Sequence, residues 1–300
     1  MINDLATTLD DRWKYVDDLS LIECCRKNLP SRAGSLMNDI CQEAKVDKMT
    51  VNFGLRRAML KLQTCIRGAR LITFDVTGTL LNFSRNPVLL YMEEAEKRGF
   101  KTDLKLLSNN FKQSWIEQNE RFPCFGARHQ MHWTEWWTKL VNKTFEGTEL
   151  DEISLLCIAE ALIEKFKSPL CWNLENGSVE LLDFLRDKKK AIGVITNFDP
   201  RIYTILDNLS MLSRFDFVIN SYDVKFCKPE RQIFDLALLK CSGLKPWEAV
   251  HIGDSFHFDY KPPKLAGWEA ILVNQDDSMK NIPRFNSIQN LKLFIEECFK

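Results

Sequence analysis

The run Leu71-Ile-Thr-Phe-Asp75-Val-Thr-Gly-Thr-Leu-Leu81 leaves this chain few ways to fold. Its first residues are apolar or β-prone without a break, the pattern of a strand buried on both faces inside a parallel sheet. The strand ends on a carboxylate, Asp75, with Gly78 three residues later. Ligands of open α/β sheets bind outside the carboxyl ends of the strands, so an acid there is better placed for chemistry than for packing. The rest of the sequence can be searched for groups that would meet Asp75.

From Cys171 onward, strand and helix patterns alternate at the spacing of βαβ units. Gly177 to Lys188 reads as a helix and Ala191-Ile-Gly-Val-Ile-Thr196 as a second buried strand. Phe217 to Ile219, Val250 to Gly253 and Glu269 to Val273 read as the third, fourth and fifth. Asn197-Phe-Asp199-Pro200 supplies an N-cap acid followed by proline at a helix start. Right-handed crossovers through five such strands favour an α/β, doubly wound parallel sheet in the order 3-2-1-4-5. That order makes strands 1 and 4 neighbours and sets Asp254, which follows strand 4, beside Asp75.

Between the first and second strands, residues 86–170 read as almost wholly helical. Pro87 suits a first turn, Gly99 a helix stop, and Leu104 to Asn119, Trp133 to Thr144 and Asp151 to Phe166 repeat a helical period. Such a block is most simply an all-helical cap over the strand ends, with residues 70–85 and 171–300 as the core. Trp133, Trp136 and Trp137 read as packing between cap helices. His129 and His132 lack a nearby third ligand, which argues against a metal there. Residues 1–69 form an N-terminal extension without a motif. From Met49 to Arg70 it is basic and acid-free, the composition of a solvated helix leading into the first strand.

Lys+Arg and Asp+Glu both number 41, so the net charge is zero. No electrostatic footprint for nucleic acid or an acidic membrane surface is expected. No apolar run approaches the ~20 residues that cross a bilayer. Ten cysteines without CxxC spacing, and no secretory signal ahead of them, point to reduced thiols in a cytoplasmic protein. A start of translation near Met49 would instead expose a mitochondrial-type leader.

Asp75, Thr196, Lys228 and Asp254 with Asp259 behind it stand at strand ends or in the loops after them. Together they solve one electrostatic problem. A phosphate brought to ~4 Å from carboxylates meets roughly 4 kcal/mol of repulsion per charge pair at an effective dielectric near 20. Asp75 and Asp254 are oxygen ligands of the kind Mg2+ prefers. With Mg2+ bound and Lys228 charged, the pair would carry about one positive charge instead of one negative, and Thr196 could hydrogen-bond a phosphoryl oxygen.

In their order and spacing, Asp75-Val-Thr-Gly-Thr79, Thr196 after Ile192-Gly-Val-Ile, Lys228-Pro229, and Gly253-Asp254-Ser255 through Asp259 resemble the haloacid dehalogenase superfamily. The resemblance covers about Arg70 to Val273, and the helical block matches that superfamily's cap. It implies Mg2+-dependent phosphoryl transfer from a small phosphorylated metabolite, with Asp75 as nucleophile forming an aspartyl-phosphate. The Thr77 main-chain carbonyl and Asp254 would hold the ion, with Asp259 behind or beside them. Thr196, Asn197 and Lys228 would bind the transferring group. Two departures stand out. Phosphatases of the superfamily usually carry a second aspartate at the position of Thr77, as general acid and base. Relatives usually place Gly-Ala where this chain has Tyr260-Lys-Pro-Pro263. A threonine hydroxyl cannot supply that proton at neutral pH, so slow turnover of alkyl monoesters is expected. The alternatives are a binding or regulatory protein with reduced catalysis, and a metal-free 2-haloacid dehalogenase.

Overall fold

The structure is a computed structural model that describes residues 59–273 and 284–300. The chain divides into two compact units, Met1–Arg67 and Gly68–Lys300. Most of the N-terminal extension therefore lies outside the described residues. Of the first unit, residues 59–67 are helical, with Lys61 and Arg67 exposed as a solvated basic helix requires.

In the second unit, the sheet contains β1 (Leu71–Phe74), β4 (Ala191–Thr196), β5 (Phe217–Asn220), β6 (Ala249–Gly253), β7 (Glu269–Val273) and β8 (Arg284–Phe285). The order is β5-β4-β1-β6-β7-β8, and every pairing is parallel. Five of these strands stand in the expected 3-2-1-4-5 order. The two-residue β8 is an addition at the edge, too short to leave a period in the sequence. All four residues of β1 are buried, because helices cover both faces. On one side α8 (Arg231–Lys240) and α9 (Lys261–Leu265) pack Ile233, Phe234, Ala237 and Ala266 against Leu71, Ile195 and Ile219. Fully burying one such aliphatic side chain contributes about 1.5–3 kcal/mol. On the other side lie α5 (Ser178–Asp187) and α10 (Ile288–Cys298).

A second, antiparallel pair joins β2 (Leu81–Phe83) to β3 (Trp172–Leu174). The sequence reading has neither strand, since each is three residues with a polar asparagine at its centre and stands outside the βαβ alternation. Phe83 stacks on Trp172 across the pair, with ring centroids 4.5 Å apart. Between these strands lie α1 (Pro87–Glu96), α2 (Leu104–Arg121), α3 (Trp133–Thr144) and α4 (Glu152–Lys165). Asn86, Asp103, His132 and Asp151 cap them in turn, each side chain accepting an otherwise unpaired amide of the first turn. His132 is thus a cap, and His129 lies edge-on to Phe122. Trp136 is fully buried and in T-shaped contact with Trp115 and Trp137.

Glu94 on α1 is 4% exposed and holds three cations: Lys97 at 2.7 Å, Arg98 at 3.2 Å and Lys165 of α4 at 3.0 Å. Burial pushes its carboxyl up, but the hydrogen bonds from Lys97, Lys165 and Arg98 outweigh it and bring the pKa down to about 2. A depressed carboxylate stabilises the fold above its unfolded pKa and ceases to do so as pH falls through the folded value. Glu94→Gln should therefore lower unfolding free energy at pH 7 by up to about 3 kcal/mol. In urea titrations the gap to wild type should shrink to less than half by pH 3; a pH-independent gap would assign the effect to packing.

Candidate active site

The strand order sets the carboxyl ends of β4, β1 and β6 side by side, and with them Thr196, Asp75 and Asp254. Asp75 is one residue past β1, and its amide continues the ladder by donating to the Ile252 carbonyl at 2.9 Å. Its side chain is therefore aimed by the sheet. Asp254 follows β6 and comes back over the turn after β1, where its Oδ1 accepts from Thr79 Oγ1 at 3.4 Å. Gly78 makes that approach possible. It has a φ of 87°, and a Cβ there would lie 2.5 Å from Asp254 Oδ2.

Lys228 reaches the same point from the loop after β5. Its ammonium is fully buried and bridges two carboxylates, with Nζ 2.8 Å from Asp75 Oδ1 and 2.5 Å from Asp259 Oδ1. Asn197 fixes the lysine's main chain from both sides. Its Oδ1 accepts from the Lys228 amide at 2.7 Å and its Nδ2 donates to the Lys228 carbonyl at 2.9 Å. Expected at the phosphate, Asn197 here holds the residue that would bind phosphate. The Lys228–Pro229 peptide is cis.

Asp259 sits in a π-helical turn, Phe256–Tyr260, that folds it back beneath β6. Gly253 leaves the room, since a Cβ there would lie 2.3 Å from Asp259 Cγ. The prolines expected to remove amide donors stand after this turn, buried at the start of α9, where a helix needs no such donors. Asp259 Oδ2 accepts from the Ser255 amide at 3.0 Å, and its Oδ1 contacts His251 Nε2 at 3.2 Å as well as Lys228. Both of its oxygens are thus engaged. Asp259 clamps Lys228, and it also stands among the three acids whose oxygens lie close enough to share an ion.

Burial alone would push the Lys228 ammonium down, but the charges of Asp259 and Asp75 outweigh it and hold its pKa above the ordinary lysine value. Burial likewise raises the Asp259 carboxyl, and Lys228 and His251 overcome it and keep it well below the carboxylate range. For His251 burial wins, and the imidazole is held below its usual value.

Oxygens of Asp75, Asp254 and Asp259 all lie within 4.8 Å of one another. Asp75 Oδ2 and Thr77 Oγ1 are buried without a hydrogen-bond partner. Three carboxylates against one ammonium leave two net negative charges, one more than Asp75, Asp254 and Lys228 alone give. A carboxylate oxygen left unpaired in such a field fits a hard divalent cation, which Asp75, Asp254 and the Thr77 main-chain carbonyl are chemically suited to hold. Thr196 is buried at the end of β4, while Thr77, Asp254 and Ser255 are half-buried and form the open side.

Across residues 69–267 the chain matches the family model described as haloacid dehalogenase-like hydrolase. The chain belongs to the haloacid dehalogenase-like hydrolase family. The rhythmically expressed gene 2 protein of Drosophila melanogaster is 43% identical over 216 residues, 69% of this chain and 83% of that protein. Haloacid dehalogenase-like hydrolase domain-containing protein 3 of Homo sapiens is 32% identical over 68% of this chain and 81% of its own. The fold is also that of the putative HAD-hydrolase YfnB from Bacillus subtilis bound to magnesium, with TM-score 0.57 and 22% identity over 76% of this chain and 99% of that one. A HAD phosphatase from Thermococcus onnurineus shares it too, with TM-score 0.51 and 23% identity over 75% and 97%.

Several residues of this family member's site carry no motif. Thr73 and His251 lie opposite each other in the β1–β6 register, both fully buried, with Thr73 Oγ1 2.8 Å from His251 Nδ1. Two polar residues inside otherwise apolar neighbouring strands are a readable signal, one that a search for acids passes over. Asp199 reads as a helix cap and does accept the Arg201 amide at 3.0 Å. It is also wholly buried, paired with the Arg201 guanidinium at 2.6 Å and bonded by Trp137 Nε1 of α3 at 2.8 Å.

Removing one member of a buried ionic cluster leaves uncompensated charge. Asp259→Asn should cost about 3 kcal/mol or more in urea unfolding. The double variant with Lys228→Met should recover part of that loss. Strictly additive costs would show that the two groups are not energetically coupled.

Proposed function

We propose that this chain is a phosphatase-type hydrolase that works through an aspartyl-phosphate on Asp75, needs Mg2+, and favours phosphates with good leaving groups. The observation that carries this reading is the state of the Asp75 carboxylate: one oxygen is pinned by Lys228, the other is buried and unpaired, and the carboxylate lies within 4.8 Å of an oxygen of Asp254. A carboxylate pinned at one oxygen keeps a fixed orientation, which favours in-line attack. Asp75, Asp254 and the Thr77 carbonyl would hold Mg2+, which supplies neutralisation of the incoming phosphate.

In the first step the Asp75 carboxylate forms a bond to phosphorus as the ester P–O bond breaks, and the electron pair leaves with the departing oxygen. In the second, water attacks the same phosphorus, inorganic phosphate departs, and the Asp75 carboxylate is restored. Lys228 keeps its positive charge throughout and faces the charge that builds on the phosphoryl oxygens, with Thr196 as a hydrogen-bond donor. Neither step has a side chain at position 77 to protonate the leaving alkoxide or deprotonate water. General acid and base assistance of that kind is worth ~100- to 10,000-fold. Aryl and acyl phosphates, whose leaving groups need no proton, should therefore be turned over well ahead of alkyl monoesters.

The buried, unpartnered Thr77 hydroxyl also supports a second reading, a protein that binds a phosphorylated ligand and turns it over little. Assays with an aryl phosphate, an acyl phosphate and an alkyl monoester, with and without Mg2+, separate the two. The enzyme reading expects metal-dependent release of phosphate that Asp75→Asn abolishes; ligand binding without release supports the second. Halide release from a 2-haloacid without metal would replace both. Thr77→Asp should raise alkyl monoester hydrolysis at least tenfold. An unchanged rate in a folded variant would show that position 77 does not limit the reaction.

A further inference from the structure

The functional reading above makes no use of Thr73 or His251, yet these two side chains connect to Lys228 through one oxygen. Asp259 Oδ1 lies 3.2 Å from His251 Nε2 and 2.5 Å from Lys228 Nζ, and His251 Nδ1 lies 2.8 Å from Thr73 Oγ1. An ionised carboxylate only accepts, so the hydrogen between Asp259 and His251 sits on Nε2. The other ring nitrogen, Nδ1, lies against the Thr73 hydroxyl.

A carboxylate oxygen has two in-plane lone pairs. On Oδ1 of Asp259 one is taken by the imidazole N–H, and Oδ2 is held by the Ser255 amide. Only one direction is left for the Lys228 ammonium, the one that also reaches Asp75 Oδ1 at 2.8 Å. We infer that His251 is a positioning residue: held by Thr73 at Nδ1 and bonding Asp259 through Nε2, it confines Lys228 to the bridge between Asp259 and Asp75. The inference deepens the phosphatase reading and rests on it for the consequence in rate. Its structural content stands without turnover.

Three variants test it: His251→Leu, which removes the donor; His251→Gln, whose amide nitrogen reaches the place of Nε2; and Thr73→Val, which removes the hydroxyl. The first readout needs no substrate. In wild-type protein labelled with 15N-histidine, His251 should show at pH 7 the nitrogen shift of a ring protonated on Nε2. In the crystal structure of His251→Leu, Lys228 should leave Asp75 and remain on Asp259. The second readout is kinetic, with an aryl phosphate and Mg2+. His251→Leu should lose about 10- to 100-fold in kcat with KM changed less than about twofold, and His251→Gln should regain most of it. Thr73→Val should fall between them, and it carries the test if His251→Leu does not fold. An imidazole without hydrogen on Nε2 overturns the inference, as does an unmoved Lys228 with unchanged kcat in the folded leucine variant. If wild-type protein hydrolyses no phosphate ester, the reading of Asp75 fails, and the nitrogen shifts and the Lys228 position still decide the role of His251.

Discussion

The Lys228 ammonium, buried between Asp75 and Asp259, is the interaction on which the geometry of this site depends. Taking an ammonium and two carboxylates out of water costs several kcal/mol per ion, and only close pairing with full hydrogen bonding offsets it. Each part of that compensation comes from a different segment of the chain. β1 supplies Asp75, the loop after β5 supplies Lys228, and the π-helical turn after β6 supplies Asp259. Asn197, just past β4, locks the main chain of the lysine. A cluster assembled from four strand ends forms only when the whole sheet has closed in the right order, so the site reports on the fold as much as the fold supports the site. The same pairing orients the Asp75 carboxylate. An Asp75 carboxylate held at one oxygen cannot swing, and its second oxygen keeps one direction.

Strand order was legible in the sequence because it follows from rules of handedness acting on short apolar runs that alternate with helices at βαβ spacing. The stem made by β2 and β3 was not, since it stands outside that alternation and its pairing is set by what it flanks. The motifs placed Asp75, Thr196, Lys228, Asp254 and Asp259 at strand ends, and the structure brings the three acids and the lysine together. What spacing could not reveal was the division of labour among them. Asp259 differs from Asp254 only in which donors surround it, and those come from a backbone amide and from His251, a residue hidden in an apolar strand. Asp199 shows the same limit. A capping acid and a buried ion-pair acid are the same letter, and only the packing of Trp137 and Arg201 around it tells them apart.

Those packing contacts also tie the helical segment to the loops that build the site. The Arg201 guanidinium lies over Trp137 of α3, 4.5 Å from the ring centre, and 5.3 Å from that of Trp133, while Asp199 binds the Trp137 indole. A cation over an aromatic face gains more where water is excluded, which is the situation of Arg201 at 4% exposure. A few residues away, Arg128 donates to the Lys225 carbonyl at 2.8 Å and pairs with Glu230, and Tyr222 donates to the Met131 carbonyl at 3.2 Å. Asp199 stands two residues after Asn197, and Lys225 and Glu230 flank Lys228. The helices are thus anchored on the two loops that carry the lysine and Asn197, which fixes its main chain. Any displacement of the helical segment would be transmitted first to those loops.

The charge balance explains why position 77 matters more than its single hydroxyl suggests. With two net negative charges at the strand ends, a second aspartate there would add a third and would have to spend part of its life protonated to be useful. Threonine avoids that charge. On the phosphatase reading it would leave the site closer to neutral with a divalent ion present, which would favour binding a dianionic phosphate, and it would lack the group that speeds departure of a poor leaving group and attack by water. Binding and turnover would then be shifted in opposite directions by one residue. That trade depends on Lys228 staying charged and on its bridge to Asp75, because a neutral or displaced amine would leave the incoming phosphate facing carboxylates alone. The position of the lysine therefore governs whether threonine at 77 yields a slow enzyme or an inert pocket.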